Sequence, residues 1–377
     1  MNKDGRLVIM QVSDPQDMKY VRKAMVKMLD KAYDTVKPDL VLFTGDNILG
    51  NHLLDARFGN RKIAEGKEAT LNIMRDSLHH ICAPLEKRDI PFAMIYGNHD
   101  DMNLVTKEEQ IEFYKSYSKC LPMNDSGNGV DCDTYNIPVL SSDGSKTVFN
   151  LWMLDSAWHD KNEDKCYCAI KPEAVEWYKE TSAKLKAENG GKNVPSLMFM
   201  HIPLKEINEF VEPCSPSDEG ARKLVNDPSG GWKRLKPDMA QGHLGETPCV
   251  LDDDSGLFEA IKENGDVKAV VFGHDHCNSF TGRYQGVDFV QTACASFRCF
   301  GNMARGVRIF IIDENNPGEY ETYTLNYFDI CGDSLPAKIL YYRDADEYEK
   351  KRFAVYGAVA ASALIGAASA IIKNIKK

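Results

Sequence analysis

Four apolar runs in this chain stop abruptly at residues suited to holding metals or protons. LVIMQVSD leads into SDPQD at 13–17, DLVLFTGD into TGDN at 44–47, IPFAMIYGNHD into YGNHD at 96–100, and VKAVVFGHDH into FGHDH at 272–276. A fifth run, MFMHIP, presents His201. Short, almost wholly apolar runs mark strands buried on both faces, as in parallel sheets covered by helices. In such sheets the carboxyl ends of the strands meet at one edge, so segments distant in sequence can line one pocket. Gly, Asp and Asn also end strands for backbone reasons alone, as turn residues. Five such endings, holding four of the chain's nine histidines, are poorly explained as turns.

The segments between these runs supply the helices. MKYVRKAMVKMLDKAYDTV (18–36) is apolar at Val21, Met25, Met28, Leu29 and Ala32, a helical period, with Asp17 placed to cap it. A second helix is expected near 65–81. A third is expected over 107–117, where Thr106 and Glu109 have capping-box spacing. TVFNLWMLDS (147–156) and NVPSLMFMHIP (193–203) read as strands, separated by a helix that begins at Pro172. Residues 205–250 form a long insertion with little periodicity, and GVRIFIIDE and EYETYTLNYF read as late strands. No repeat and no clean linker interrupts the chain, which predicts one α/β domain over 1–330 and a connecting segment at 331–352.

Composition narrows the function classes. With 56 acidic and 46 basic residues the formal charge is −10, which argues against a protein built to coat nucleic acid. No apolar signal core precedes the first strand, and the 11 cysteines show no zinc-knuckle spacing. A reducing, cytosolic compartment is the expectation; the rival is a disulfide among Cys120, Cys132, Cys166 and Cys168. At the other end, FAVYGAVAASALIGAASAII (353–372) is 20 residues without a charge, flanked by basic residues. As a helix it would match the hydrocarbon thickness of a bilayer, about 30 Å. The stretch therefore predicts a hydrophobic helix acting as a membrane anchor on a cytosolic face, with an alanine-rich buried or partner-binding helix as the alternative.

The strand-end residues make chemical sense together. Two divalent cations about 3.5–4 Å apart need a carboxylate between them and oxygen and imidazole ligands around them. Asp46 is the candidate bridge. His274 and His276 lie two apart, so both can face inward only on an irregular backbone of the kind Gly273 permits. Asp275 is then expected to point away.

In order and spacing these motifs resemble the calcineurin-like metallophosphoesterases: Asp14-Pro15-Gln16, Gly45-Asp46, Gly97-Asn98-His99, His201 and Gly273-His274-Asp275-His276. GDVKAVVFGHDHCNSFTGRYQGV (265–287) is most similar to the branch related to purple acid phosphatases and yeast Dcr-type phosphoesterases. The resemblance implies a four-layer α-β-β-α sandwich of two mixed sheets. It also implies a metal-dependent phosphoric ester hydrolase with two divalent ions (Mn, Fe, Mg or Zn) and a bridging hydroxide that attacks phosphorus. Asp14 and His276 would hold the first metal, Asp46 would bridge, and Asn98, His201 and His274 would complete the second. His99 would face the substrate as catalytic residue, with Asp100 as its partner or as a turn residue.

Two positions depart from the family pattern. Gln16 stands where a histidine usually binds the first metal, with Asp17 as the competing ligand. Leu49 stands where purple acid phosphatases place an iron-binding tyrosine. The expected substrate is a phosphomonoester, either a phosphoprotein or a small molecule. The alternatives are a catalytically weak or inactive metal-binding scaffold, and a phosphodiesterase or nuclease. Arg298 and Arg305 are candidates for phosphate contact or for structural salt bridges, and Trp158, His159 and Trp232 for lining a leaving group.

Overall fold

The structure, a computed structural model, describes residues 1–50, 57–58, 61–62, 66–123, 129–156, 167 and 170–354. Two mixed sheets lie face to face. The first contains β1 (Arg6–Val12), β2 (Leu40–Thr44), β3 (Phe92–Ile95), β11 (Gly306–Asp313) and β12 (Tyr320–Asn326), in the order β12-β11-β1-β2-β3. The second contains β4 (Tyr135–Leu140), β5 (Thr147–Met153), β6 (Ser196–Phe199), β7 (Ala240–His243), β8 (Val267–Phe272), β9 (Ser279–Tyr284) and β10 (Val287–Gln291). Its order is β7-β9-β10-β8-β6-β5-β4. Strands β1, β2 and β3 run parallel, as do β5, β6, β8 and β10, so their carboxyl ends share an edge.

The unbroken apolar runs are explained by the layering. Along each strand alternate residues face opposite ways. Leu7, Ile9, Leu40, Leu42, Ala93 and Ile95 meet Phe149, Leu151, Met153, Leu197, Phe199, Ala269 and Val271 between the sheets. The intervening residues, Met10, Val12, Val41, Phe43, Phe92 and Met94, pack against α1 (Lys23–Val36) and α2 (Gly66–Arg88). On the far side Trp152, Met198, Val270 and Phe272 pack against α4 (Pro172–Glu188) and α5 (Leu257–Asn264). Each such buried side chain contributes about 1.5–3 kcal/mol. The result is the expected four-layer α-β-β-α sandwich.

The expected elements differ in detail. Helix α1 begins at Lys23 and not at residue 18, because Asp17 binds Arg298 and the N–H groups of Met18 and Arg22. Helix α2 runs on to Arg88 through Pro84, since Leu85 extends its buried face. Helix α3 (Lys107–Lys115) carries the expected capping box. Strand β4 arises in a stretch whose turn residues hide its alternation, and β7 arises in the aperiodic insertion, added antiparallel to β9 at the edge. The nine described cysteines are free; Cys166 and Cys168 lie outside the described residues.

After β12 the chain forms α6 (Tyr327–Cys331) and α7 (Leu335–Asp344), then a further helical stretch at 347–354. The expected membrane anchor requires correction. Among the described residues no helix is long and apolar enough to cross a membrane, and residues 355–372 of the apolar stretch lie outside them. A membrane is therefore not retained as a partner.

Candidate metal centre

The shared edge brings the motif residues together through unusual backbone. Asp14 (φ 47), Asp46 (φ 50) and His274 (φ 68) all adopt the left-handed conformation. This region is uncommon for residues other than glycine and costs on the order of 1–3 kcal/mol each. Left-handed turns at the strand ends direct these side chains into one buried cluster. Glycines give the cluster room: a Cβ at Gly273 would lie 2.0 Å from Ser13 Oγ and 2.8 Å from Asp14 Oδ2.

Ligand-type atoms of Asp14, Asp46 and His276 all lie within 4.8 Å of one another. His201 Nε2 is 3.3 Å from Asp46 Oδ1, 3.1 Å from Asn98 Oδ1 and 3.9 Å from Asp14 Oδ1. His276 Nε2 is 3.6 Å from Asp14 Oδ1. The His274 ring centroid lies 5.1 Å from that of His201, and its backbone N–H donates to Asp14 Oδ2 at 3.0 Å. The Gln16 side-chain amide donates to Asp46 Oδ2, and its side-chain oxygen Oε1 is buried without a hydrogen-bond donor.

The proton positions on two of these imidazoles follow from their other contacts. His201 Nδ1 lies 2.9 Å from the Thr44 carbonyl, and His276 Nδ1 lies 2.9 Å from the Phe300 carbonyl. A carbonyl only accepts, so each Nδ1 carries a proton and each ring turns its Nε2 toward carboxylate oxygens. Lone pairs facing one another repel unless a positive charge lies between them. Electrostatics agree: burial pushes His201 down, but Asp46 and Asp14 outweigh it and raise the group to about 10. His276 is raised to about 9 against its burial by the adjacent Asp14 carboxylate and by the charges of Glu246 and Asp46. Asp14 Oδ1, fully buried, accepts no hydrogen bond. Orphaned oxygen, Nε2 atoms turned inward and a mixed carboxylate–imidazole–amide donor set all fit a divalent metal.

The remaining candidates divide. His99 is more open than His201 and His276: its side chain is 23% exposed and its Nε2 lies 3.9 Å from Asp46 Oδ2. Its backbone N–H donates to Asp46 Oδ1 at 2.8 Å. Asp100 accepts from the N–H groups of Gly97, Asn47 and Ile48 at 2.8, 3.1 and 3.1 Å, bonds characteristic of a turn residue. They tie the Gly45-Asp46 loop to the Gly97-Asn98-His99 loop. Burial and the charge on Asp46 push its carboxyl up to about 7. Asp275 points away, accepting from the Cys249 N–H and the Asn278 amide. Arg298 is held by Asp17, and Arg305 by Asp346 and Glu349, so both belong to salt bridges of the structure. Leu49 packs in the helix-side core. Trp158 and His159 lie outside the described residues.

The residues that hold the candidate ligands carry no signal in the sequence. Ser13 Oγ donates to Asp14, and Ser296 grips the Asp14 carbonyl through its N–H and the Gln16 carbonyl through its hydroxyl. No periodicity or motif singles out ACASFRC, because these contacts depend on backbone shape.

Residues 7–278 match the calcineurin-like phosphoesterase family. The chain is 25% identical to the protein named "Probable inactive purple acid phosphatase 14" of Arabidopsis thaliana, over 83% of this chain and 76% of that one. It is 27% identical to "Probable inactive purple acid phosphatase 29" of the same plant, over 74% of this chain and 65% of the relative. With "Phosphatase DCR2" of Saccharomyces cerevisiae it shares 26% identity over 71% of this chain and only 39% of the yeast protein. Motif order, fold and family match agree: the chain belongs to the calcineurin-like phosphoesterases and is related to their purple-acid-phosphatase and Dcr2-type branch.

Proposed function

We propose that Asp14, Asp46, Asn98, His201, His274 and His276, with Gln16 as a weak ligand, hold a pair of divalent cations, and that phosphoric esters are hydrolysed there. The observation that carries this reading is the pair of Nε2 atoms of His201 and His276 turned toward buried carboxylate oxygens. When bound, such cations acidify water and offset negative charge on a phosphoryl group. The protein's own part is positional. Thr44 and Phe300 fix two imidazoles, Ser13 and Ser296 fix the Asp14 loop, and Asp100 fixes the loop that carries Asn98 and His99. His99, the open imidazole at the rim, is placed to pass a proton to a departing oxygen. Phosphomonoesters are the proposed substrates.

A second reading is a metal-binding scaffold with little or no turnover, and the comparisons favour it: relatives covering most of this chain carry "probable inactive" in their names. Gln16 favours it too, since a neutral amide oxygen binds a divalent ion more weakly than imidazole. Retention of His99 favours turnover. An aryl phosphate and an aryl phosphodiester assayed with added Mn²⁺ separate the two. Hydrolysis that falls about 100-fold or more in His99→Ala, within the range of general acid–base contributions, supports the enzyme. Metal binding without hydrolysis of either ester supports the scaffold.

The glutamine makes a prediction of its own. Gln16→His restores an imidazole beside Asp46. It is expected to raise Zn²⁺ affinity relative to Mn²⁺, measured by competition with a chromogenic chelator. Unchanged zinc affinity would place position 16 outside the metal sphere.

A further inference from the structure

We propose that Arg305 is a positioning residue for the first metal site, held in place by the carboxylates of the C-terminal segment, so that residues 335–349 set the affinity of a centre to which they contribute no ligand. The inference rests on the metal-binding reading above. Arg305, its loop and its acidic partners all lie beyond the family match, which ends at residue 278.

Arg305 is fully buried, yet it lies in a loop and not in a strand. Its guanidinium donates to three carbonyls of its own loop: Ser296 at 2.6 Å, Cys299 at 2.9 Å and Asn302 at 3.3 Å. A planar cation with five donors can fold a loop around itself in this way. Its remaining bonds go to Asp346 and Glu349. Tyr341 on α7 reinforces the arrangement, with its hydroxyl 2.8 Å from Glu349 Oε1 and 3.3 Å from the Asn302 carbonyl. Such a charge would be costly to bury without both carboxylates.

The loop folded around Arg305 is the one that touches the centre. Ala295 N–H donates to the Ser13 carbonyl at 2.8 Å and Ser296 N–H to the Asp14 carbonyl at 3.0 Å. The Ser296 hydroxyl donates to the Gln16 carbonyl at 2.6 Å. The Phe300 carbonyl, between the Cys299 and Asn302 contacts of Arg305, accepts from His276 Nδ1 and so fixes that ring's tautomer. These contacts fall on Asp14, Gln16 and His276, the first-site set, and not on Asn98, His201 or His274. The C-terminal segment also holds the start of α1, the helix that follows the Asp14 loop: Asp344 accepts from the Ala24 N–H at 2.8 Å, where α1 lacks a side-chain cap of its own. Removing a partner that orients a ligand typically lowers metal affinity about 10–100-fold.

The test is a Mn²⁺ titration of the full chain by calorimetry, with thermal unfolding of the metal-free protein recorded alongside. The parent is expected to show two classes of site. Glu349→Gln and Asp346→Asn are expected to weaken one class about 10–100-fold and leave the other within about twofold. Equal weakening of both classes, or no change in a variant that folds, overturns the proposal. If neither variant folds, Tyr341→Phe, which removes only a hydroxyl, decides: a smaller loss confined to the same class supports the role, and none refutes it. A parent that binds no Mn²⁺ would instead refute the metal-binding reading itself, a separable outcome.

Discussion

An Asp46→Asn protein is expected to fold and to lose metal almost completely. Asp46 reaches both halves of the cluster, with Oδ1 at 3.3 Å from His201 and Oδ2 bonded to the Gln16 amide. Its carboxyl is held below the usual range: burial opposes the charge, but His201, His99 and His274 outweigh burial. Asp46 thus keeps its negative charge at neutral pH, where a cation needs it. Asparagine preserves shape and tolerates the left-handed backbone at this position. It removes the charge, and one carboxylate oxygen becomes an amide nitrogen that cannot ligate. The loss of Mn²⁺ affinity should exceed the roughly 10–100-fold typical of a supporting residue, and any ester hydrolysis should vanish with it. Calorimetry gives the affinity and near-ultraviolet circular dichroism reports the fold. Parental Mn²⁺ affinity in a folded Asp46→Asn protein would remove Asp46 from the centre.

How far the sequence could lead is seen at individual residues. Strand ends are legible because burial on both faces leaves few polar residues within a strand, so Asp14, Asp46, Asn98 and His274 stand out at its end. Their convergence followed from parallel strands sharing an edge. What stayed hidden was whatever backbone geometry decides. Asp17 has the spacing of a helix cap, but Arg298, 281 positions away, claims it and the helix starts later. Arg305 looked like a phosphate ligand or a salt bridge, and the acids that settle the matter lie on a segment with no motif. Ser296 and the Phe300 carbonyl act through main-chain contacts, which side-chain identity does not encode. The apolar C-terminal stretch has the length of a membrane helix, but no described helix is long and apolar enough to cross a membrane, and residues 355–372 lie outside the described residues.

The glycine before Asn98 provides the sharpest test of close packing at the centre. Gly97→Ala is expected to damage fold and site together. Gly97 itself is not left-handed, so the argument rests on space alone. A Cβ there would lie 2.2 Å from Asp46 Oδ1, 2.3 Å from the Asp46 backbone nitrogen and 2.7 Å from His201 Nε2. None of these atoms can yield cheaply. The nitrogen belongs to a left-handed turn, and the Asp46 carboxylate is held by the His99 N–H and the Gln16 amide. The His201 ring is pinned by the Thr44 carbonyl. Overpacking of this kind costs about 1–3 kcal/mol when neighbours can repack, and here relief requires separating Asp46 from His201. The expected result is destabilisation at or above the upper end of that range in urea unfolding. Mn²⁺ affinity should fall by at least the 10–100-fold scale of a displaced supporting contact. Gly318→Ala serves as control, because a Cβ there meets nothing within 4 Å, and it should change stability by no more than about 0.5 kcal/mol. If Gly97→Ala matched that control in both stability and metal affinity, the Gly97-Asn98-His99 loop could not sit against Asp46 and His201 as closely as the structure places it.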